Sequence, residues 1–166
     1  MRLFRIFGTG PAGFLATGSI WLLILFLENI FNLPELPVTP LMKELLLVFF
    51  VIDIIYLVGG SLLVLLPHKR GLSVVTKGPY KFVRHPIYAG FLYSGTGLVA
   101  VYYSSLLLII SVIPLSIFWS WLVVREEQYM LDKFGKIYRT YMENTGQFFP
   151  KLQTNNFNET KDKNDK

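Results

Sequence analysis

IYAGFLYSGTGLVAVYYSSLLLIISVIPLSIFWSWLVV, residues 87–124, contains no aspartate, glutamate, lysine, arginine or histidine. Ser104-Ser105 divides it into two apolar runs, 87–103 and 106–124. Each is about the length a helix needs to cross a hydrocarbon core of roughly 30 Å. Gly90, Gly95 and Gly97 soften the first run, and Pro114 lies inside the second, where it predicts a kink. A link this short folds the two runs into a hairpin. Helices are the expected form, because lipid cannot satisfy free backbone N–H and C=O groups. No long strand alternation points to a barrel. Upstream lie two more apolar runs: 14–31, with Glu28 near its far end, and 45–66, interrupted by Asp53. The expectation is an all-α, polytopic membrane helix bundle of about four transmembrane helices, in one domain over 1–150.

Composition agrees. Of 166 residues, 52% are hydrophobic and 16% charged, and mean hydropathy is +0.46. A soluble domain carries about a quarter charged residues, so a disordered chain is excluded and a water-soluble enzyme disfavoured. Cysteine is absent and only two histidines occur. A disulfide framework, a thiolate metal site and a cysteine nucleophile are thereby excluded, and no metal is expected. The first run is read as a retained span rather than a signal peptide, since no small-x-small cleavage site follows it.

Charge orients the bundle. Arg2 and Arg5 precede the first run. Lys69, Arg70, Lys77, Lys81 and Arg84 lie between the second and third, and Arg125, Lys133, Lys136 and Arg139 follow the fourth. The opposite loops carry one basic residue, Lys43. The positive-inside rule places both termini and the second loop in the cytosol. Topology accounts for the net charge of +5, so membrane lipids, not nucleic acid, are the expected neighbours.

Asp53 in mid-membrane has two readings: a buried acid hydrogen-bonded to Ser or Thr of span one or three, or a functional group in a polar cavity. Gly59, Gly60, Ser61, Gly90 and Ser94 are small residues that permit close helix approach. Trp21, Trp119 and Trp121 read as interface anchors or packing residues. Beyond the last span, 126–142 reads as an amphipathic helix, with Met130, Phe134, Ile137, Tyr138 and Tyr141 at spacings of three and four. Thr145-Gly146 marks its stop, and Phe148-Phe149-Pro150 suggests re-docking. The tail 151–166 is polar and expected to be disordered.

Chemistry-bearing residues are densest in LSVVTKGPYKFVRHPIYAG, residues 72–90. The two prolines predict extended backbone at Gly78 and His85, and Pro86 suits the first turn of the third span. Arg84-His85 is thus held at the mouth of a membrane helix, whose free N–H groups add a positive end. That set suits an anion such as a carboxylate or phosphate, with Tyr80 and Tyr88 supplying aromatic faces or hydroxyls. The second dense spot is Glu126-Glu127. The hairpin has nearly equal arms, so it returns these carboxylates to the membrane face where Arg84-His85 begins. Two readings stay open there: a pocket for hydroxyls or an ammonium group, or ion pairs that close the bundle.

Gly78-Pro79-Tyr80, Arg84-His85-Pro86-x-Tyr88-x-Gly90, Glu126-Glu127 and Phe134-Gly135-x-x-Tyr138-x-x-Tyr141 together resemble the isoprenylcysteine carboxyl methyltransferase and phospholipid methyltransferase superfamily, over about residues 72–150. The resemblance implies an integral membrane methyltransferase using S-adenosylmethionine. It implies that Leu72, Ser73, Val74 and Val75 line one wall of the cofactor pocket. Tyr80, His85, Pro86, Ile87 and Tyr88 would contact the cofactor, and Glu126 would bind a polar part of it. Arg84 and the adjacent Glu127 would be the catalytic candidates. The implied acceptor is lipophilic: an isoprenylcysteine-type carboxylate first, a phospholipid-type amine as the alternative. A carboxylate needs no base. An amine must lose a proton, which Glu127 or Asp53 can be asked to take. Members acting on prenylated cysteine carry an arginine one turn before the glutamate pair, where this chain has Leu122. The competing class is a non-catalytic membrane scaffold or transporter subunit, for which Asp53 speaks.

Overall fold

The computed structural model describes residues 9–65 and 73–151. Arg2, Arg5, Lys69, Arg70, Leu72 and the tail from 152 lie outside the described residues. What is described is helical, with isolated bridges and no strands. Helix α1 is Gly10–Phe31 and α2 is Pro40–Val64, the latter with a π-helical turn at Ile55–Gly59. A 3-10 turn follows at Gly78–Lys81. Helix α3 covers 86–103 in three pieces, a π-helical turn at Gly90–Gly95 separating Pro86–Ala89 from Thr96–Tyr103. Helix α4 is Leu106–Phe134 and α5 is Lys136–Asn144.

Local chemistry sets these limits. Thr39 Oγ1 accepts from the Met42 N–H at 3.3 Å, and Pro40 starts α2 where a missing N–H costs nothing. Ser104 ends α3 in the left-handed region (φ 55), and Ser105 Oγ accepts from the Leu108 N–H at 3.1 Å to cap α4. Two serines therefore finish one helix and begin the next. Glu28 has a role there as well: its carboxylate accepts from the Leu107 N–H at 3.1 Å, at the positive end of α4.

Three of the described helices are long and apolar enough to cross a membrane: Gly10–Phe31, Pro40–Val64 and Leu106–Phe134. The expected span at 87–103 is helical over 86–103, through a π-helical turn, but it is not among these three; its glycines, tyrosines, Ser94 and Thr96 make it less apolar than they are. The first two spans begin earlier than the apolar runs at 14 and 45 suggested, because Gly10-Pro11 and Thr39-Pro40 initiate the helices. The expected separate helix over 126–142 is also corrected. Helix α4 runs unbroken through Glu126-Glu127 to Phe134, and the break comes at Gly135 (φ 53). Its 29 residues extend about 43 Å at ~1.5 Å per residue, so its end projects beyond the bilayer core. Ile137, assigned from sequence to the apolar stripe, is 69% exposed, whereas Tyr138 is buried.

Helix α3 packs against both α2 and α4, and α1 packs against α4. Trp119 lies fully buried at the centre, its ring against Phe14 (5.4 Å) and Tyr88 (4.9 Å). It is a packing residue, whereas Trp121 faces outward. Gly13 makes room for Trp119: a Cβ there would stand 2.6 Å from the indole. Gly90 and Gly60 allow similar approaches, to Val58 and Pro79, whereas Gly59, expected to do the same, faces open space. Asp53 accepts from Ser94 of α3, one of the partners expected of a buried acid.

The Trp119 Nε1–H donates to Thr17 Oγ1 at 2.9 Å, both side chains being fully buried. Thr17→Val should therefore lower stability by about 1–3 kcal/mol, because an indole N–H is left without a partner. Thermal melts in detergent should show the loss, with Thr17→Ser close to the unaltered protein.

Candidate active site

Pro86 disfavours helical backbone at the residue before it, and His85 takes φ −123, ψ 62, non-helical but short of the extended conformation expected of it. Non-helical backbone presents unpaired groups. Here they are met by the segment after α5: Val83 forms a parallel bridge with Gly146, the Arg84 N–H donates to the Gly146 carbonyl at 2.8 Å, and the His85 N–H to that of Gln147 at 3.1 Å. Residues 145–150 thus form a strap over the Arg84-His85-Pro86 segment, the re-docking suggested by Phe148-Phe149-Pro150. Gly78, expected to be extended, instead takes φ 59, a left-handed conformation that suits glycine.

Glu126 and Glu127 are neighbours on α4, so their side chains leave the helix about 100° apart. Each meets a different set. Glu127 Oε1 accepts from Arg84 Nε at 2.9 Å and from His85 Nε2 at 3.2 Å. A carboxylate only accepts, so this contact places a proton on Nε2. Arg84 Nη1 also donates to the Met142 carbonyl at 3.2 Å and to that of Thr145. The guanidinium therefore ties α4, α5 and the strap together. Glu126 Oε1 accepts from the Thr9 N–H, from Thr9 Oγ1 at 2.6 Å and from the Tyr88 hydroxyl at 3.1 Å. The His85 and Tyr88 rings lie nearly parallel (6°, centroids 5.6 Å apart), and Phe148 closes the far side of the imidazole at 5.9 Å.

Two tyrosines of α5 complete the surround. Burial pushes the Tyr138 phenol up to about 12, with the Glu127 charge adding to the effect and the Arg84 guanidinium opposing it. Burial also raises Tyr141, whose hydroxyl donates to the Tyr80 carbonyl at 2.6 Å. Both remain protonated donors at neutral pH.

The structure thus brings Arg84 and His85 onto Glu127 and Tyr88 onto Glu126, two hydrogen-bonded sets joined into one cluster by the stacked rings of His85 and Tyr88. Pro86 is buried beneath it and Ile87 is half-buried. Among the described residues, no hydrogen bond or ring contact joins Ser73, Val74 or Val75 to the cluster; Ser73 is exposed and the two valines half-buried. Leu122 lies against Gly13 of α1, its Cδ2 2.8 Å from where a Cβ would be. Thr9, Met142, Thr145 and Trp119 were not named from sequence as site residues. Thr145-Gly146 was visible only as a stop signal, and nothing local marks Thr9 as a partner of a carboxylate 117 positions away.

The profile of the family described as "Phospholipid methyltransferase" matches residues 41–137. Neither a curated protein nor a solved structure matches the chain.

Proposed function

We propose a function from one premise: the chain belongs to the phospholipid methyltransferase family, and the three apolar helices of membrane-spanning length among the described residues fit an integral membrane methyltransferase. The reading is transfer of a methyl group from S-adenosylmethionine to a lipophilic acceptor. The observation that carries it is the meeting of Glu126 and Glu127 with His85 and Tyr88 at one end of the α3–α4 hairpin.

The residues present fit the cofactor. Glu126 already accepts an N–H and an O–H from Thr9 on one oxygen, the donor chemistry of an ammonium group or a ribose hydroxyl. The stacked His85 and Tyr88 rings add an aromatic wall beside Glu126. When bound, the cofactor supplies an electrophilic methyl on a sulfonium. The chain's own task is to hold an acceptor in line with that methyl, which can lower a barrier by several kcal/mol. In this reading Glu126 binds and His85 and Tyr88 orient. Arg84 acts as a positioning residue, holding Glu127 beside His85. The lysines and arginines gathered at this end, including Lys77, Lys81, Arg125 and Lys136, support a cytosolic site.

For the acceptor, an isoprenylcysteine-type carboxylate requires no base, and Glu127, held by two cationic or N–H donors, is poorly suited to removing a proton. A second reading, a phospholipid amine, is favoured by the description of the matching family. Incubating membranes with methyl-labelled cofactor separates them: base-labile label in extracted lipid marks an ester, base-stable label an amine. Glu126→Ala and His85→Ala should each weaken binding of S-adenosylhomocysteine with little change in melting temperature. If both variants bind it normally, the site is elsewhere.

A further inference from the structure

A cleft of about 450 Å³ opens on the side of the bundle, between α3, α4 and the strap. Ser120 of α4 and Gln147 of the strap both line it. Among the described residues, neither side chain has a hydrogen-bond partner. The other polar groups there are already used: Tyr93 bonds to Ser116, whose hydroxyl donates to the Val112 carbonyl at 2.6 Å. Against largely apolar walls an unpartnered hydroxyl or amide is costly unless something polar meets it.

No charged residue lines the cleft, so its polar guest is neutral. The mouth is flanked by Ile117 and Phe149, 68% and 63% exposed. The inner wall is Phe148, whose ring also touches His85. The Gln147 carbonyl that accepts from the His85 N–H belongs to the same strap. Cleft and catalytic cluster are therefore neighbours separated by one aromatic ring.

We propose that this cleft binds the neutral carbonyl-bearing neck of the lipid acceptor, Ser120 and the Gln147 amide donating to that carbonyl while the chain leaves past Ile117 and Phe149. The inference rests on the methyltransferase reading and adds the acceptor's seat to it. Chemically it selects a lipid with an amide or ester carbonyl close to its methyl-accepting end over one without.

The test compares the unaltered protein with Ser120→Ala/Gln147→Leu and with the cleft-filling Ser120→Trp. Acceptors are presented in pairs: an N-acylated against an N-alkylated prenylcysteine, and a diacyl against a diether phospholipid in vesicles. The unaltered protein should show a KM roughly tenfold lower for whichever carbonyl-bearing member it methylates. The double variant should lose that preference with S-adenosylhomocysteine binding unchanged. Ser120→Trp should lose photocrosslinking to a diazirine-bearing acceptor while keeping its melting temperature. Normal cofactor binding with an unchanged preference in the double variant overturns the cleft assignment alone. Failure of the unaltered protein to bind S-adenosylhomocysteine overturns the methyltransferase reading, and the acceptor seat with it.

Discussion

Arg84→Ala should abolish methyl transfer and destabilise the end of the bundle that carries the Arg84–Glu127 pair by about 3–5 kcal/mol, the usual cost of removing one partner of a buried ion pair. The Arg84 and Glu127 side chains are each only 10% exposed. Alanine would leave Glu127 with His85 alone, and it would also free the Met142 and Thr145 carbonyls. The strap and α5 should loosen together. Thermal melts in detergent and binding of S-adenosylhomocysteine are the measurements. Arg84→Lys should recover little, because an ammonium cannot reproduce a fork that reaches a carboxylate and two carbonyls. A melt and an affinity both close to those of the unaltered protein would show that the guanidinium is not the tie described.

The second large effect is expected from Gly146→Ala. A Cβ at Gly146 would run into the Phe149 carbonyl, with Phe149 C at 3.0 Å and Lys151 N at 3.3 Å. Every obstacle is backbone, so no side chain can rotate aside. The strap must open, and the pairing of the Arg84 and His85 N–H groups with residues 146 and 147 goes with it. Two lost hydrogen bonds and a displaced Phe148 put the cost at about 2–4 kcal/mol, and cofactor binding should fall at least tenfold. Gly18→Ala is the control: a Cβ there meets nothing within 4 Å, so the melt should hardly move. Equal behaviour of the two alanine variants would remove the strap from the account.

Both predictions concern contacts that the linear chain shows only in part. The hairpin was legible, because a charge-free stretch parted by two serines has few other ways to satisfy its backbone in lipid. Its consequence, the return of Glu126-Glu127 to the level of His85, followed from equal arm lengths. The bend between α4 and α5 was misplaced for a physical reason. Periodicity does not show where one helix ends and another begins when the apolar face continues, and only the positive φ of Gly135 marks the break. Similarly, the 86–103 helix reads as an ordinary apolar run, while its π-helical turn arises where Gly90 and Ser94 pack against Val58 and Asp53 of α2.

By itself the sequence determined the membrane-helix class, the hairpin, the meeting of Arg84-His85 with Glu126-Glu127 at one end of the bundle, and the family motif, because all of these depend on residue types and on the lengths of the apolar runs between them. Only the tertiary structure decided how the charges are shared. Arg84 ties Glu127 to the strap instead of standing free for an anion, Thr9 occupies Glu126, and Leu122 fills space against Gly13. Those assignments depend on which side chains converge from distant helices, and each hydrogen-bonding group can satisfy only the partners that packing places within about 3 Å.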